Sequence, residues 1–151
     1  MSESYREGSD NGVIRVLIAD DHALVRSGMR MLLEDEPGFE VVGEAADGAQ
    51  ALELACALRP SVLLADVSMP PPDGIELTRL LSRDAPHIRT IVVTMHENEA
   101  VLREAVAAGA WGYVVKRSGP LELIDAIRAV TGGRKHLDRL LRERGARWEE
   151  T

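Results

Sequence analysis

The stretch VLLADVSMPPPDG, residues 62–74, contains a strand, its polar end and the turn into a helix. The unalternating apolar run VLLA is typical of a parallel strand that is covered on both faces. Asp66 ends this run, a proline-rich turn follows, and Asp73-Gly74 opens the next helical segment. These residues predict a strand–turn–helix unit with a carboxylate at the carboxyl end of the strand.

The same unit recurs on both sides of this stretch. Apolar runs at 16–19, 91–93 and 113–115 predict three more buried strands, and the more alternating run at 39–44 predicts an edge strand. Segments with helical spacing of apolar residues lie between them. Because strand and helix alternate five times within residues 13–133, we expect right-handed crossovers and an open three-layer α/β sandwich.

Composition excludes several classes of protein. The chain has 151 residues, 45% of them hydrophobic, which argues against disorder, and its net charge of −7 argues against a surface that is basic overall. Residues 1–12 are polar and do not form a signal peptide, so we expect a cytoplasmic protein without membrane association. The single cysteine, Cys56, excludes an internal disulfide and is predicted to be a small buried core residue.

The ends of the predicted strands carry the chemistry. Asp20-Asp21, Asp66, Thr94 and Lys116 each follow or end one strand, and parallel strands bring these ends to one edge of the sheet. At ~4 Å and an effective dielectric near 20, each carboxylate pair repels by about 4 kcal/mol, so the cluster predicts a divalent cation. Oxygen ligands favour Mg²⁺, with Mn²⁺ as the alternative. A metal, an ammonium and a hydroxyl around one carboxylate indicate phosphoryl transfer to that carboxylate.

These motifs resemble the receiver domain of two-component response regulators, and most closely the NarL/FixJ class. The resemblance covers residues 13–133 and implies a flavodoxin-like (CheY-like) doubly wound sandwich. Its sheet would have five parallel strands in the order 2-1-3-4-5, with five flanking helices. The matching segments are ADDH at 19–22, LLADVSMPPPDG at 63–74, VVTMH at 92–96 and GAWGYVVK at 109–116.

The resemblance also implies roles for the acidic residues. Asp66 would be the phosphoacceptor, taking a phosphoryl group from a phosphohistidine on a sensor histidine kinase. Asp20 and Asp21 would hold Mg²⁺ together with Asp66 and the backbone carbonyl of Ser68. The protein would then be a switch that catalyses its own phosphorylation and dephosphorylation, not an enzyme acting on a separate substrate.

Other positions would contact or modulate the phosphoryl group. Thr94 and Lys116 would contact its oxygens, and Tyr113 matches the aromatic position whose ring turns inward as Thr94 moves. Ser68 and His96 would flank the path of the attacking water; for His96, an exposed loop histidine without such a role is the alternative. The chain departs from the family pattern at Pro71-Pro72, where two fixed φ angles stiffen the loop beside the acceptor.

The resemblance sets the expected domain organisation. Residues 1–12 are predicted to be a disordered or extended tail, 13–133 the receiver, and 134–151 a helical extension or linker whose helix is solvated. The class normally carries a LuxR-type helix-turn-helix domain that contacts DNA, which is absent from this chain, and its output would involve a homodimer formed on phosphorylation. A stand-alone receiver acting by protein–protein interaction is the alternative. An aspartyl-phosphate phosphatase is less favoured, because Asp20-Asp21-His22 lacks the D-x-D pattern of that class.

Overall fold

The computed structural model describes residues 9–10 and 12–150, and its central element is a mostly parallel sheet covered by helices on both faces. The strands are β1 (Ser9–Asp10), β2 (Val13–Ala19), β3 (Phe39–Ala45), β4 (Val62–Asp66), β5 (Arg89–Thr94), β6 (Gly112–Val115) and β7 (His136–Leu137). The α-helices are α1 (Ala23–Glu34), α2 (Gly48–Leu58), α3 (Gly74–Asp84), α4 (Glu99–Ala108), α5 (Pro120–Thr131) and α6 (Arg139–Glu143), with a 3₁₀ turn at Lys116–Ser118.

The order of the core strands is β3-β2-β4-β5-β6, all parallel, which confirms the predicted 2-1-3-4-5 order of a flavodoxin-like fold. Two short strands were not expected. In the described part of the chain, β7 extends the sheet beside β6, and β1 pairs antiparallel with the start of β2. All five residues of β4 are buried, as expected for a central strand. In β3 only the first three residues, Phe39 to Val41, alternate between buried and exposed positions.

The two faces of the sheet have separate apolar layers. Side chains of α1 and α5 pack with Ile18, Leu64 and Val93 on one face. Side chains of α2 and α3 pack with Leu63 and Ala65 on the other face, and α4 packs beside them. Because successive residues of a strand point to opposite faces, each central strand needs an apolar residue at every position.

Aspartate side chains and a glycine set the boundaries of three helices. The Asp47 side chain accepts a hydrogen bond from the Gln50 amide at 2.8 Å, and Asp73 accepts one from the Glu76 amide at 2.9 Å. Gly109 ends α4 with φ = 101°, a conformation that favours glycine. The prediction for Cys56 is wrong: its side chain is exposed, because Ala51 and Ala55 form the buried face of α2 and the next residue is rotated away from it.

The C-terminal segment differs from a solvated linker helix. After α5 the chain forms β7 and the five-residue helix α6, and Leu137 and Leu141 are buried in the same cluster as Tyr113. The leucines of this segment cover the β6 edge of the sheet and do not form one face of an extended helix. A strand edge left uncovered would present unpaired backbone groups to other chains. Of the predicted N-terminal tail, Ser9–Asp10 forms β1, and residues 1–8 and 11 lie outside the described residues.

Candidate functional site

The carboxyl ends of the central strands converge at one edge of the sheet. Asp20 directly follows β2, Asp66 ends β4, Thr94 ends β5, and Lys116 directly follows β6. Asp20, Asp66 and Thr94 are buried, with exposed fractions of 0%, 5% and 6%. Polar side chains are rarely buried without partners, so their contacts define what this edge can do.

Three predicted carboxylates lie together. Ligand atoms of Asp20, Asp21, His22 and Asp66 all lie within 4.8 Å of one another. Asp21 is exposed, whereas Asp20 and Asp66 face the interior. Oxygen donors at this spacing fit a hard divalent cation such as Mg²⁺, which prefers carboxylate and water ligands.

Lys116 compensates the buried negative charge. Its Nζ donates to Asp20 Oδ2 at 2.7 Å and lies 3.4 Å from Asp66 Oδ2, while the lysine side chain is only 12% exposed. The ammonium group therefore lies between the two buried carboxylates. A positive charge in this position is also close to any anionic group that becomes attached to Asp66.

The environment of Asp66 favours its protonated form. Burial raises the pKa of the Asp66 carboxyl above its ordinary value, and the negative charge of Asp20 adds to the effect. Lys116 and the Ser68 amide, which donates to Asp66 Oδ1 at 3.4 Å, act in the opposite direction. The predicted role of Ser68 concerned its carbonyl, and the contact between Ser68 and Asp66 in the structure is made by its amide.

The loop after Asp66 is closely packed. A Cβ atom on Gly74 would overlap the backbone oxygen of Asp66, and one on Gly48 would overlap the backbone oxygen of Pro72. The Gly48 amide donates to the Pro70 carbonyl at 3.1 Å. Two glycines thus allow the proline-rich loop to lie against the starts of α2 and α3. The peptide bond between Pro71 and Pro72 is cis.

Thr94 and Tyr113 meet at the loop between β5 and α4. Thr94 Oγ1 accepts a hydrogen bond from the His96 amide at 3.2 Å. The Tyr113 ring is fully buried, and its hydroxyl donates to the carbonyls of His96 and Asn98, each at 3.3 Å. Burial raises the pKa of the Tyr113 hydroxyl to about 12. The ring thus already lies inward, and its hydroxyl contacts the loop that follows Thr94.

Two histidines near the site have different positions. The His96 side chain is exposed, and its effect on the lifetime of a phosphorylated state stays a prediction. His22 was not predicted as a site residue, yet its Nδ1 lies 3.0 Å from Asp21 Oδ1 and 3.4 Å from Asp20 Oδ1. The sequence feature that could have identified His22 as a site residue is its position directly after Asp20-Asp21.

Residues 16–128 match the family model of the response regulator receiver domain. The chain belongs to this family. The response regulator GacA of Pseudomonas viridiflava is 42% identical to the receiver domain over 125 residues, which cover 83% of this chain and 58% of GacA. The transcriptional regulatory protein LiaR of Bacillus subtilis (strain 168) is 40% identical over 126 residues, which cover 83% of this chain and 60% of LiaR.

A solved structure also resembles this receiver domain. The two-component response regulator of the LuxR family from Aurantimonas sp. SI85-9A1 has a TM-score of 0.83 and 39% identity, covering 87% of this chain and 94% of that chain. These similarities confirm the prediction of a NarL/FixJ-class receiver. The chain spans less than two thirds of the length of the curated relatives above. Within the described residues, the helices are too short or too polar to cross a bilayer.

Proposed function

We propose that Asp66 accepts a phosphoryl group from a phosphohistidine on a sensor histidine kinase. The observation that carries this proposal is the position of its carboxylate, which is 5% exposed, ends a central strand and lies 3.4 Å from the Lys116 ammonium. Asp20 and Asp21 lie beside it in a cluster of oxygen ligands. A reacting carboxylate, a fixed cation and a set of metal ligands are the components of phosphoryl transfer.

In the transfer step, an oxygen of Asp66 attacks the phosphorus atom of the donor. A phosphorus–oxygen bond forms as the phosphorus–nitrogen bond breaks, and the released imidazole nitrogen takes a proton from water. Lys116 stabilises the negative charge on the phosphoryl oxygens, and the Thr94 hydroxyl donates a hydrogen bond to one of them. Burial and the charge of Asp20 raise the pKa of Asp66, and the nearby Lys116 ammonium acts in the opposite direction and favours the ionised carboxylate that attacks.

A bound Mg²⁺ would supply the positive charge that keeps the acidic cluster ionised and neutralises the transferred oxygens. Asp20, Asp21 and Asp66 would hold it, with the Ser68 carbonyl as a further oxygen ligand, and Mn²⁺ is the alternative ion. The same residues would promote hydrolysis of the acyl phosphate by water. The protein is therefore proposed to be a phosphoacceptor that catalyses its own phosphorylation and dephosphorylation.

The proposed output is regulation of transcription in the cytoplasm. A phosphoryl group of charge near −2 would attract the Thr94 hydroxyl and Lys116, and Tyr113 would repack because its hydroxyl contacts the loop after Thr94. LiaR is a transcriptional regulatory protein and the Aurantimonas regulator belongs to the LuxR family, and both similarities support an output through a LuxR-type DNA-binding domain. We further propose that phosphorylation promotes a homodimer.

The test is incubation with acetyl phosphate and Mg²⁺, followed by intact-mass measurement. Wild type is expected to gain one phosphoryl group, Asp66→Asn none, and the matched control Asp125→Asn, which changes an exposed aspartate of α5, the same amount as wild type. Omission of Mg²⁺ should abolish the gain. A wild type that gains nothing, or an Asp66→Asn protein that gains as much as wild type, would overturn the proposal.

A further inference from the structure

A fully buried carboxylate also lies in the C-terminal segment, outside the acidic cluster. Asp138 has an exposed fraction of 0% and stands at the start of α6, ten positions beyond the part of the chain that matches the family model, which ends at 128. A fully buried carboxylate requires hydrogen-bond donors to offset its lost hydration. The identity of those donors shows what Asp138 holds in place.

Both oxygens of Asp138 accept hydrogen bonds. Oδ2 accepts from the Val115 amide at 2.7 Å, and Oδ1 accepts from the Ser118 hydroxyl at 2.7 Å and from the Leu140 amide at 2.8 Å. Val115 directly precedes Lys116, and Ser118 ends the 3₁₀ turn that begins at Lys116. The Asp138 carboxylate therefore binds the backbone amide just before Lys116 and the Ser118 hydroxyl at the end of the 3₁₀ turn that begins with Lys116.

The position of Asp138 follows from the pairing of β7 with β6. Tyr113 is opposite Leu137 in this pair, and the Asp138 amide donates to the Tyr113 carbonyl at 2.9 Å. Val115 is the next residue of β6 whose amide is directed toward the β7 side, and the Asp138 side chain accepts a hydrogen bond from that amide. The side chain thus completes the hydrogen bonding of β6 at the point where the backbone ladder ends. Hydrogen bonds to an ionised acceptor are stronger than neutral ones, so this end of β6 is held firmly.

Further contacts fasten the segment to the two loops of the site. Glu122 Oε2, in the first turn of α5, accepts from the Arg139 amide at 2.9 Å and lies 2.8 Å from His136 Nε2. Glu97, in the loop after β5, forms ion pairs with Arg117 and Arg144. The segment therefore contacts both the loop that follows Thr94 and the turn that carries Lys116.

We propose that Asp138 is a positioning residue for Lys116. Its carboxylate sets the backbone of the 116–118 turn and thereby directs the ammonium group toward Asp20 and Asp66. The C-terminal segment then supports the phosphoryl site through the turn that carries Lys116. This inference rests on the proposed function, because it concerns how the site receives a phosphoryl group.

Replacement of Asp138 by asparagine tests the carboxylate itself. Asparagine has nearly the same shape, but one of the two oxygen positions becomes an NH₂ group that cannot accept a hydrogen bond. In either orientation the NH₂ group faces a backbone amide, that of Val115 or that of Leu140. Asp138→Asn therefore loosens a contact that the native carboxylate makes, with little change in volume.

The experiment measures binding of beryllofluoride, a phosphoryl mimic, in the presence of Mg²⁺, and binding of Mg²⁺ alone, with the full chain. Asp138→Asn should weaken beryllofluoride binding about tenfold, leave Mg²⁺ affinity within about twofold, and accelerate amide hydrogen exchange at Val115. In the Lys116→Ala background the same change should cause no further loss of beryllofluoride binding. The matched control Asp125→Asn should behave like wild type.

The outcomes separate this inference from the proposed function. A wild type that binds no beryllofluoride with Mg²⁺ contradicts the proposed function itself. If wild type binds it and Asp138→Asn binds equally well, or if the loss persists undiminished in the Lys116→Ala background, Asp138 does not act through Lys116. Should Asp138→Asn fail to fold, Ser118→Ala removes one donor only; we expect a loss of about threefold, and unchanged binding overturns the inference.

Discussion

Replacement of Lys116 by methionine tests whether this one cation holds the acidic cluster together. At an effective dielectric of 20, the attraction to Asp20 at 2.7 Å is about 6 kcal/mol and that to Asp66 at 3.4 Å about 5 kcal/mol, before desolvation. Desolvation of the ammonium group offsets several kcal/mol of this attraction. Removal of one partner from a buried pair typically costs about 3–5 kcal/mol, and we take about 3 kcal/mol because the lysine is partly exposed.

Urea denaturation at pH 7 without divalent cations measures this loss. With a slope of about 2 kcal/mol per molar, a loss of about 3 kcal/mol lowers the urea midpoint by about 1.5 M. The affinity for Mg²⁺ should change in the opposite direction, because the positive charge that competes with the metal for Asp20 and Asp66 is gone. The variant should therefore bind Mg²⁺ more tightly than wild type and gain more stability from it.

The matched control is Lys135→Met, which removes the other lysine of the chain. Its side chain is 32% exposed and pairs with Glu150 at the surface, so the expected loss is below about 1 kcal/mol. Two results would refute the reasoning. One is a Lys116→Met midpoint within about 0.3 M of wild type, and the other is weaker Mg²⁺ binding by the variant.

Two further predictions concern the stability effects of Asp66 and of two glycines. The pKa of Asp66 in the folded state lies above its ordinary value of 3.8, so the folded state keeps the carboxyl proton to a higher pH than the unfolded state does. The free energy of unfolding of the metal-free protein therefore falls as the pH rises from the unfolded to the folded pKa. Asp66→Asn should remove this decrease and be more stable than wild type at pH 7, as measured by urea midpoints from pH 3 to 7; an unchanged slope would contradict the burial argument. Gly28→Ala should raise the free energy of unfolding by about 0.5–1 kcal/mol, because the helical glycine has no atoms near its added Cβ, whereas Gly74→Ala should lower it through overlap with the Asp66 backbone. Equal midpoints for the two glycine variants would contradict the packing of the loop.

Local patterns predict most of the fold because the central strands are short apolar runs and several helices begin or end at capping residues. Asp73 caps α3 as its position in the sequence predicts. Cys56 is an exception, because an apolar run inside a helix does not by itself show which residues face the sheet. The C-terminal segment shows a second difference: its leucines have helical spacing, yet Leu137 lies in the short strand β7, whereas Leu141 lies in the helix α6.

The sequence by itself determined which polar side chains meet at the sheet edge of this receiver domain. Asp66, Thr94 and Lys116 stand at strand ends, and parallel strands must bring such ends to one edge, so their proximity follows from the strand pattern alone. Only the tertiary structure decided how Lys116 is held, because Asp138 is 23 positions from Val115 and 20 from Ser118 in the chain. Hydrogen bonds between distant segments have no local periodicity, and they exist only after β7 has paired with β6.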